Sequence, residues 1–347
     1  MRRLGLAILA ASLTAPSAGA ATKDIAVLPY PAALHAEHGW LVWGVPLGEH
    51  RWGLTAWHRG VAKRLPMRPR LFGFDLDLGT DGRGRTVAVF SRCADVRTHR
   101  GCRLRIVDLL TGRERAAGEP RAPGMSNTDP SIWRGRIAFV RTESPRPRDP
   151  VDQLWMWSPR GGRLVPQRHG LLFPCTSDCR GVRDGGSAYS LDLGDEMLAF
   201  GWFPQNDPEG HQYDELRADL PDGRSVLIGT GTTGESYSVW ISDPWVDGDD
   251  VWYTADEFES DSGTVRTFLT RYRPGAHRGR YGELRGPIVA VTMDGHALYA
   301  LIGAEPEELY ELPTCTARKP CALRRLPLPR MPHRIGRFTT PLDRSPD

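Results

Sequence analysis

Lysine is nearly missing from this chain. Of its 45 basic residues only three are lysine (Lys23, Lys63 and Lys319), and the arginines that carry the remaining positive charge are spread along its whole length. That spread is a compositional bias and not a basic patch. After residue 20 no run of eighteen residues is apolar, which leaves no segment long enough to cross a bilayer as a helix. No window of twelve residues keeps a period of 3.6, and 38 Gly and 29 Pro also argue against long helices. Catalytic signatures are missing too. There is no Gly-x-Ser-x-Gly, no His-Glu-x-x-His, and no glycine-rich loop opening a helix to cradle phosphate. The ten histidines are scattered; His35 and His38 form a His-x-x-His and are read as surface-loop residues. No catalytic, cofactor-binding or metal-ligating set is assigned.

What is present begins with an address. Arg2 and Arg3 precede an apolar run from Leu4 to Leu13, Pro16 breaks it, and Ala18-Gly19-Ala20 fits the small-x-small cleavage rule. Residues 1–20 are therefore expected to be a signal peptide cleaved near Ala20, leaving a secreted protein of residues 21–347 in one domain. Cleavage removes two Arg and no acid, so 43 basic face 42 acidic side chains. Such a balance offers no net field to attract nucleic acid or an anionic membrane.

The six cysteines fall in close pairs, Cys93/Cys102, Cys175/Cys179 and Cys315/Cys321. An even count in an exported chain predicts disulfides. Fifteen connectivities are possible, and the local one is expected. Zinc is the competing reading, but gaps of eight, three and five residues match no common zinc framework.

Short runs rich in Val, Ile, Trp, Tyr and Phe recur between Gly- and Pro-based turns, as half-buried strands do. The clearest set runs from Arg85 to Arg115. It holds Thr86 to Arg92, Arg103 to Asp108 and a Thr111-Gly112 turn, and reads as a meander. Six such sets align on Leu41, Val87, Ile137, Leu198, Val251 and Leu298, with spacings of 46, 50, 61, 53 and 47. Asp77-Leu78-Gly79 introduces the second set and Asp192-Leu193-Gly194 the fourth. A repeat near fifty residues suits one propeller blade, and radial stacking buries both faces of each sheet. The expected fold is all-β, a six-bladed β-propeller of four-stranded antiparallel meanders. Paired β-sandwich domains are the alternative, but they would not produce six similar units. Ring closure is expected from Asp24 to Leu28 or from Arg334 to Thr340.

Residues 75–230 resemble the blade repeat of TolB-like β-propellers. The likeness rests on Asp81-Gly82, Val87 to Phe90, Leu104 to Asp108, Thr111-Gly112, Pro130 to Val140 and Asp222-Gly223. It implies a propeller in which the first strand of each blade lines the central channel. It implies little about function, because the motif is what builds the blade.

Two constellations call for a chemical reading. Asp243 to Asp261 gathers eight acids, hard oxygen ligands of the kind calcium takes, but without EF-hand or nonapeptide spacing, so solvated loops are expected. Most of the eleven Trp sit inside strand runs, while Trp133, Trp240 and Trp245 stand nearer a rim. The leading expectation is binding or scaffolding of an extracellular or envelope protein or glycan by a monomer, through the loop-lined channel face. The rival is a hydrolase or lyase acting on a polymer. Carboxylates, or a histidine with acids, converging in the channel would mark the rival; backbone and small side chains would mark binding.

Overall fold

The computed structural model describes residues 24–329, apart from 72, 144–152, 159–163, 167–185, 196, 205–214, 221–222, 232–236, 260–263, 277–278, 296 and 305–313. The expected signal peptide, Cys175, Cys179 and the tail from Arg334 lie outside these residues. The described residues form six antiparallel sheets arranged as a β-propeller and contain no helix.

Strand β1 (Asp24–Leu28) comes first and belongs to the last blade. Blade one is β2 (Leu34–Glu37), β3 (Trp40–Pro46), β4 (Arg51–His58) and β5 (Val61–Arg64), with the two-residue β6 (Arg70–Leu71) added to β4. Blade two is β7 (Leu76–Thr80), β8 (Thr86–Arg92), β9 (Arg103–Asp108) and β10 (Glu114–Ala116). Blade three is β11 (Met125–Trp133), β12 (Arg136–Glu143), β13 (Gln153–Trp157) and β14 (Leu164–Pro166). Blade four is β15 (Gly186–Leu193), β16 (Leu198–Pro204), β17 (Glu215–Asp219) and β18 (Ser225–Thr230). In blade five β19 (Tyr237–Ile241) and β20 (Trp245–Asp247) both pair with β21 (Asp250–Glu259), followed by β22 (Thr264–Tyr272) and β23 (Gly279–Leu284). Blade six is β24 (Ile288–Asp294), β25 (Ala297–Ile302) and β26 (Cys321–Leu326), and β1 supplies its outer strand.

The ring closes through that outer strand. Leu28 faces Cys321, Val27 faces Ala322 and Ala26 faces Leu323. An ion pair of 2.6 Å joins Asp24 to Arg324. Closure pairs an edge that would otherwise expose free N–H and C=O groups.

One expectation needs correction. The six aligned positions lie on β3, β8, β12, β16, β21 and β25, which are the second strands of their blades and not the channel-lining ones. An inner strand precedes each. The reason is burial. A second strand packs on both faces, so alternate residues enter two different cores and the strand reads as an unbroken apolar run. Val87 and Val89 join Ile137 and Phe139 between blades two and three, whereas Ala88 and Phe90 join Val42 and Leu54 between blades one and two. An inner strand packs one face and turns the other to the channel, so it carries polar residues. Pro130 and Pro244 interrupt two of them further, and proline within a strand run argues against reading it as a strand. In blade six β26 pairs directly with β25, and the short run at 309–312 between them lies outside the described residues.

Three hairpin turns, at His38-Gly39, Arg59-Gly60 and Arg134-Gly135, place both central residues at positive φ. That is the type I′ geometry whose twist matches the strands it joins, and glycine adopts it without strain at the second position. Gly79 serves a different need. A β-carbon there would overlap the carbonyl oxygen of Ile132, so its bare backbone lets the inner strands of blades two and three meet.

Candidate functional site at the channel mouth

Every inner strand starts at the same face of the ring. One cavity of about 730 Å³ is bordered by the starts of β2, β7 and β24, the middle of β11, the second half of β15 and the segment between β19 and β20. Its wall takes Leu34 and His35 from blade one, Asp75 and Asp77 from blade two, and Asp129 and Pro130 from blade three. Ser190 and Asp192 follow from blade four, Asp243 to Trp245 from blade five, and Val289 to Val291 from blade six. The loop between β8 and β9 reaches the same rim with Cys93, Val96 and His99. A disulfide joins Cys93 to Cys102 at its base, and a second joins Cys315 to Cys321. Asp95 stiffens the loop, accepting hydrogen bonds from the Arg97 and Thr98 backbone and the Thr98 hydroxyl.

Polar side chains tie the inner strands to one another. Asp77 Oδ2 accepts from the Ser131 hydroxyl at 2.6 Å and from the Ile132 N–H at 3.1 Å. Ser131 Oγ in turn accepts from the Leu193 N–H at 2.8 Å. Asp192 Oδ2 accepts from the Val246 N–H at 2.5 Å, and Thr292 Oγ1 from the Ala36 N–H at 3.2 Å. In each case a side chain of one inner strand captures a backbone donor of the next. Asp75 does likewise with Asp129 N–H at 3.1 Å, while its other oxygen holds the buried Arg70 at 2.6 Å and the Ser91 N–H at 3.0 Å.

Burial, joined at Asp192 and Glu37 by the charges of neighbouring acids, shifts the titration of these groups. Burial pushes Asp77 up to about 7 against the hydrogen bonds from Ser131, Ile132 and Leu78. Burial, then the charges of Asp77 and Glu37, hold Asp192 well above the usual carboxylate range. Burial raises Asp243 despite the hydrogen bond from Ser190. Further along the channel, Glu37 is driven up to about 8 by burial and by the charges of Asp77, Asp294 and Asp247. Burial lowers His35 to about 4, against the pull of Asp75. Among the described residues no Lys or Arg pairs with Asp77, Asp192 or Asp243.

These positions revise several sequence readings. His35 is not in a surface loop; it lies on β2 and borders the cavity. Trp245 also borders the cavity. Trp133 lies at the far end of its inner strand, where its Nε1–H donates to Asp195 at 2.8 Å and its ring stacks on His38. Trp240 lies on β19 beside Phe258. The acidic stretch is not a set of solvated loops: Asp250, Asp256, Glu257 and Glu259 fall on β21, and Asp261 lies outside the described residues. Asp243 is at the mouth, whereas Asp250, at the opposite end, pairs with Arg271 and Arg273. Glu257 pairs with Arg280. Among the described residues no group of three or more His, Cys, Asp or Glu is placed to hold a metal ion.

The inner-strand residues Asp75, Ser131 and Asp192, and the buried Arg70, were not singled out as site residues from sequence. The available signals were the Asp-Leu-Gly echo and two of the four Asp-Pro pairs, Asp129-Pro130 on β11 and Asp243-Pro244 between β19 and β20. Beside this set, Asp77 holds its proton up to about 7, and the Asp192 carboxyl is raised in the same direction. The Ser131 hydroxyl is fully buried and committed to Asp77 and Leu193, so it is not an accessible nucleophile.

No protein-family model matches the chain, and no curated protein matches it. Solved structures do. An oligogalacturonate lyase in complex with manganese is 13% identical over 79% of this chain and 72% of its own, with a TM-score of 0.49. An ulvan lyase is 10% identical over 82% and 81%, with a TM-score of 0.46. The β-propeller domain of the Trilobed protease from Pyrococcus furiosus is 9% identical over 85% and 94%, with a TM-score of 0.45. Likenesses this distant do not say what the chain binds or does.

Proposed function

We propose that this chain is a secreted β-propeller, related to the TolB-like group its blade repeat resembles, that binds a cationic ligand at the mouth of its channel. The observation behind this reading is that Asp77, Asp192 and Asp243 border one cavity without a basic partner among the described residues. Unpaired carboxylates gathered in a partly enclosed site repel one another, and an incoming cation relieves that repulsion. The volume falls in the range of small-ligand pockets. A cation favours the ionised acids, so binding should tighten as pH rises through about 7, where Asp77 gives up its proton.

The test is calorimetric titration with spermine at about pH 8 and about pH 5. Saturable binding at the higher pH, weakened at least about tenfold in an Asp192→Asn, Asp243→Asn double variant, supports the reading. No binding at either pH, or binding untouched by the double variant, refutes it.

A second reading is acid–base catalysis on a polymer, and the convergence of His35, Asp77 and Asp192 at the channel is the arrangement set out above as its mark. It ranks behind because one oxygen of each of these aspartates is committed to inter-blade hydrogen bonds. Release of shortened products from a polysaccharide, lost in Asp192→Asn, would put it first.

A further inference from the structure

The chain as a whole is balanced in charge, but its second blade is not. Residues 66–116 carry eleven arginines and no lysine against six acids. Part of that excess gathers at a second cavity. Between β5 and β6 the segment 66–68 lies against the outer strands of blade two and leaves a space of about 440 Å³. Arg92 of β8, Arg105 of β9, and Arg113 and Glu114 at the start of β10 border it from the other side. It shares no residue with the cavity at the channel mouth.

Its walls are locked together. Arg92 donates to the carbonyls of Pro69 and Arg68, each at 2.9 Å, and so pins the crossing segment to blade two. Gly112 stands at positive φ, and a β-carbon there would come to 2.3 Å from Pro66 Cδ, so its bare backbone lets Pro66 seat against the β9–β10 turn. The space between these parts is preset and needs no rearrangement to admit a ligand.

The charges at the cavity do not cancel. Glu114 is its only acid, and both oxygens are taken: Oε1 accepts from Arg92 and Arg105, and Oε2 from Arg92. Asp81 and Asp108, further acids of the same blade, are held by Arg85 and Arg115. Arg105 gives only its Nε–H, at 2.8 Å; its two terminal nitrogens have no partner and reach solvent. Arg68 and Arg113 are exposed and have no side-chain partner among the described residues. Four guanidiniums around one carboxylate leave three positive charges in excess.

We infer that this cavity binds a phosphate monoester. Guanidinium forks pair with phosphate oxygens two at a time. The arginines come from three separate segments, which suits a tetrahedral group better than a planar carboxylate. A phosphate monoester carries close to two negative charges above about pH 6, whereas a sulfate ester or a carboxylate carries one. The space is larger than a bare phosphate ion and lies in the range of small-ligand pockets, so the group arrives on an organic body, for which Pro66 and Met67 offer apolar surface. This site does not depend on cation binding at the channel mouth.

Phenyl phosphate, phenyl sulfate and benzoate share one ring and differ in the anion. Each is titrated calorimetrically into the protein at constant ionic strength. The expected result is saturable binding of phenyl phosphate, at least about tenfold tighter than either other probe and weakening as pH falls below about 6. Arg113→Gln and Arg68→Gln should each weaken it at least about fivefold and leave Tm unchanged, since neither side chain has a partner to lose. Arg83→Gln removes an exposed arginine of the same blade that does not border the cavity, and should leave the affinity within about twofold. Phenyl phosphate failing to saturate, benzoate binding as tightly, or Arg83→Gln weakening binding as much as Arg113→Gln would overturn the site. Phenyl sulfate binding more tightly than phenyl phosphate would overturn the phosphate assignment.

Discussion

Replacing Asp77 by Asn separates the charge of this residue from its hydrogen bonds. In the wild-type protein Oδ2 accepts from Ser131 and Ile132, and an asparagine oxygen can accept both while never ionising. The folded chain holds the Asp77 proton until about pH 7, whereas an unfolded aspartate releases it near 3.9. Between those values the folded state binds more protons than the unfolded one, so the contribution of Asp77 to stability is present at low pH and lost as pH rises through about 7. Three pKa units correspond to about 4 kcal/mol. The cavity opens to solvent and Asp192 shares the titration, so about 1–2 kcal/mol is expected from Asp77 itself. Equilibrium urea unfolding with the disulfides intact, repeated from about pH 5 to about pH 8, measures the difference. The variant should gain about 1–2 kcal/mol on the wild type across that range, whatever the offset at its acid end. Parallel profiles would show that Asp77 ionises in the folded state as it does in the unfolded chain, and the account of the acidic mouth would fail.

Ser131→Ala strips the Asp77 carboxylate and the Leu193 N–H of a buried partner at once, and should cost about 2–3 kcal/mol in urea unfolding. Gly79→Ala drives a β-carbon into the Ile132 carbonyl between two inner strands; a loss of about 3 kcal/mol is expected, with a near-neutral result refuting the tight contact. Replacing Cys93 and Cys102 by Ser opens a loop closed over nine residues, which the chain-entropy model values at about 2.5 kcal/mol. Because Val96 and His99 border the cavity, the same double variant should also weaken spermine binding; unchanged affinity would show that the loop takes no part in the site.

The second strands were legible because both of their faces are buried. Val87 to Phe90 are fully buried, and their unbroken apolar character signals a strand without any knowledge of neighbours. The closing strand Asp24–Leu28 was legible as one of two candidates, and the register of β1 against β26 chose between them. The inner strands were harder. Leu34-His35-Ala36-Glu37 has the alternation of a strand, but at four residues it resembles a polar loop, and Asp243-Pro244 resembles a turn. Their identity depends on partners roughly fifty residues away, as between Asp77 and Ser131 or Asp192 and Val246.

What the sequence determined by itself is the repeat: short two-faced apolar strands, turns built on glycine and proline, and cysteines spaced for local bridges. These are nearest-neighbour properties, because burial pattern and turn geometry are set within a few residues. What only the tertiary structure decided is the site. Its acids come from separate blades, at positions where each residue alone looks like a solvated loop. Closing the ring turns all six inner strands to one axis, and the burial this imposes, joined at Asp192 by the charges of Asp77 and Glu37, is what raises the carboxyls of Asp77, Asp192 and Asp243.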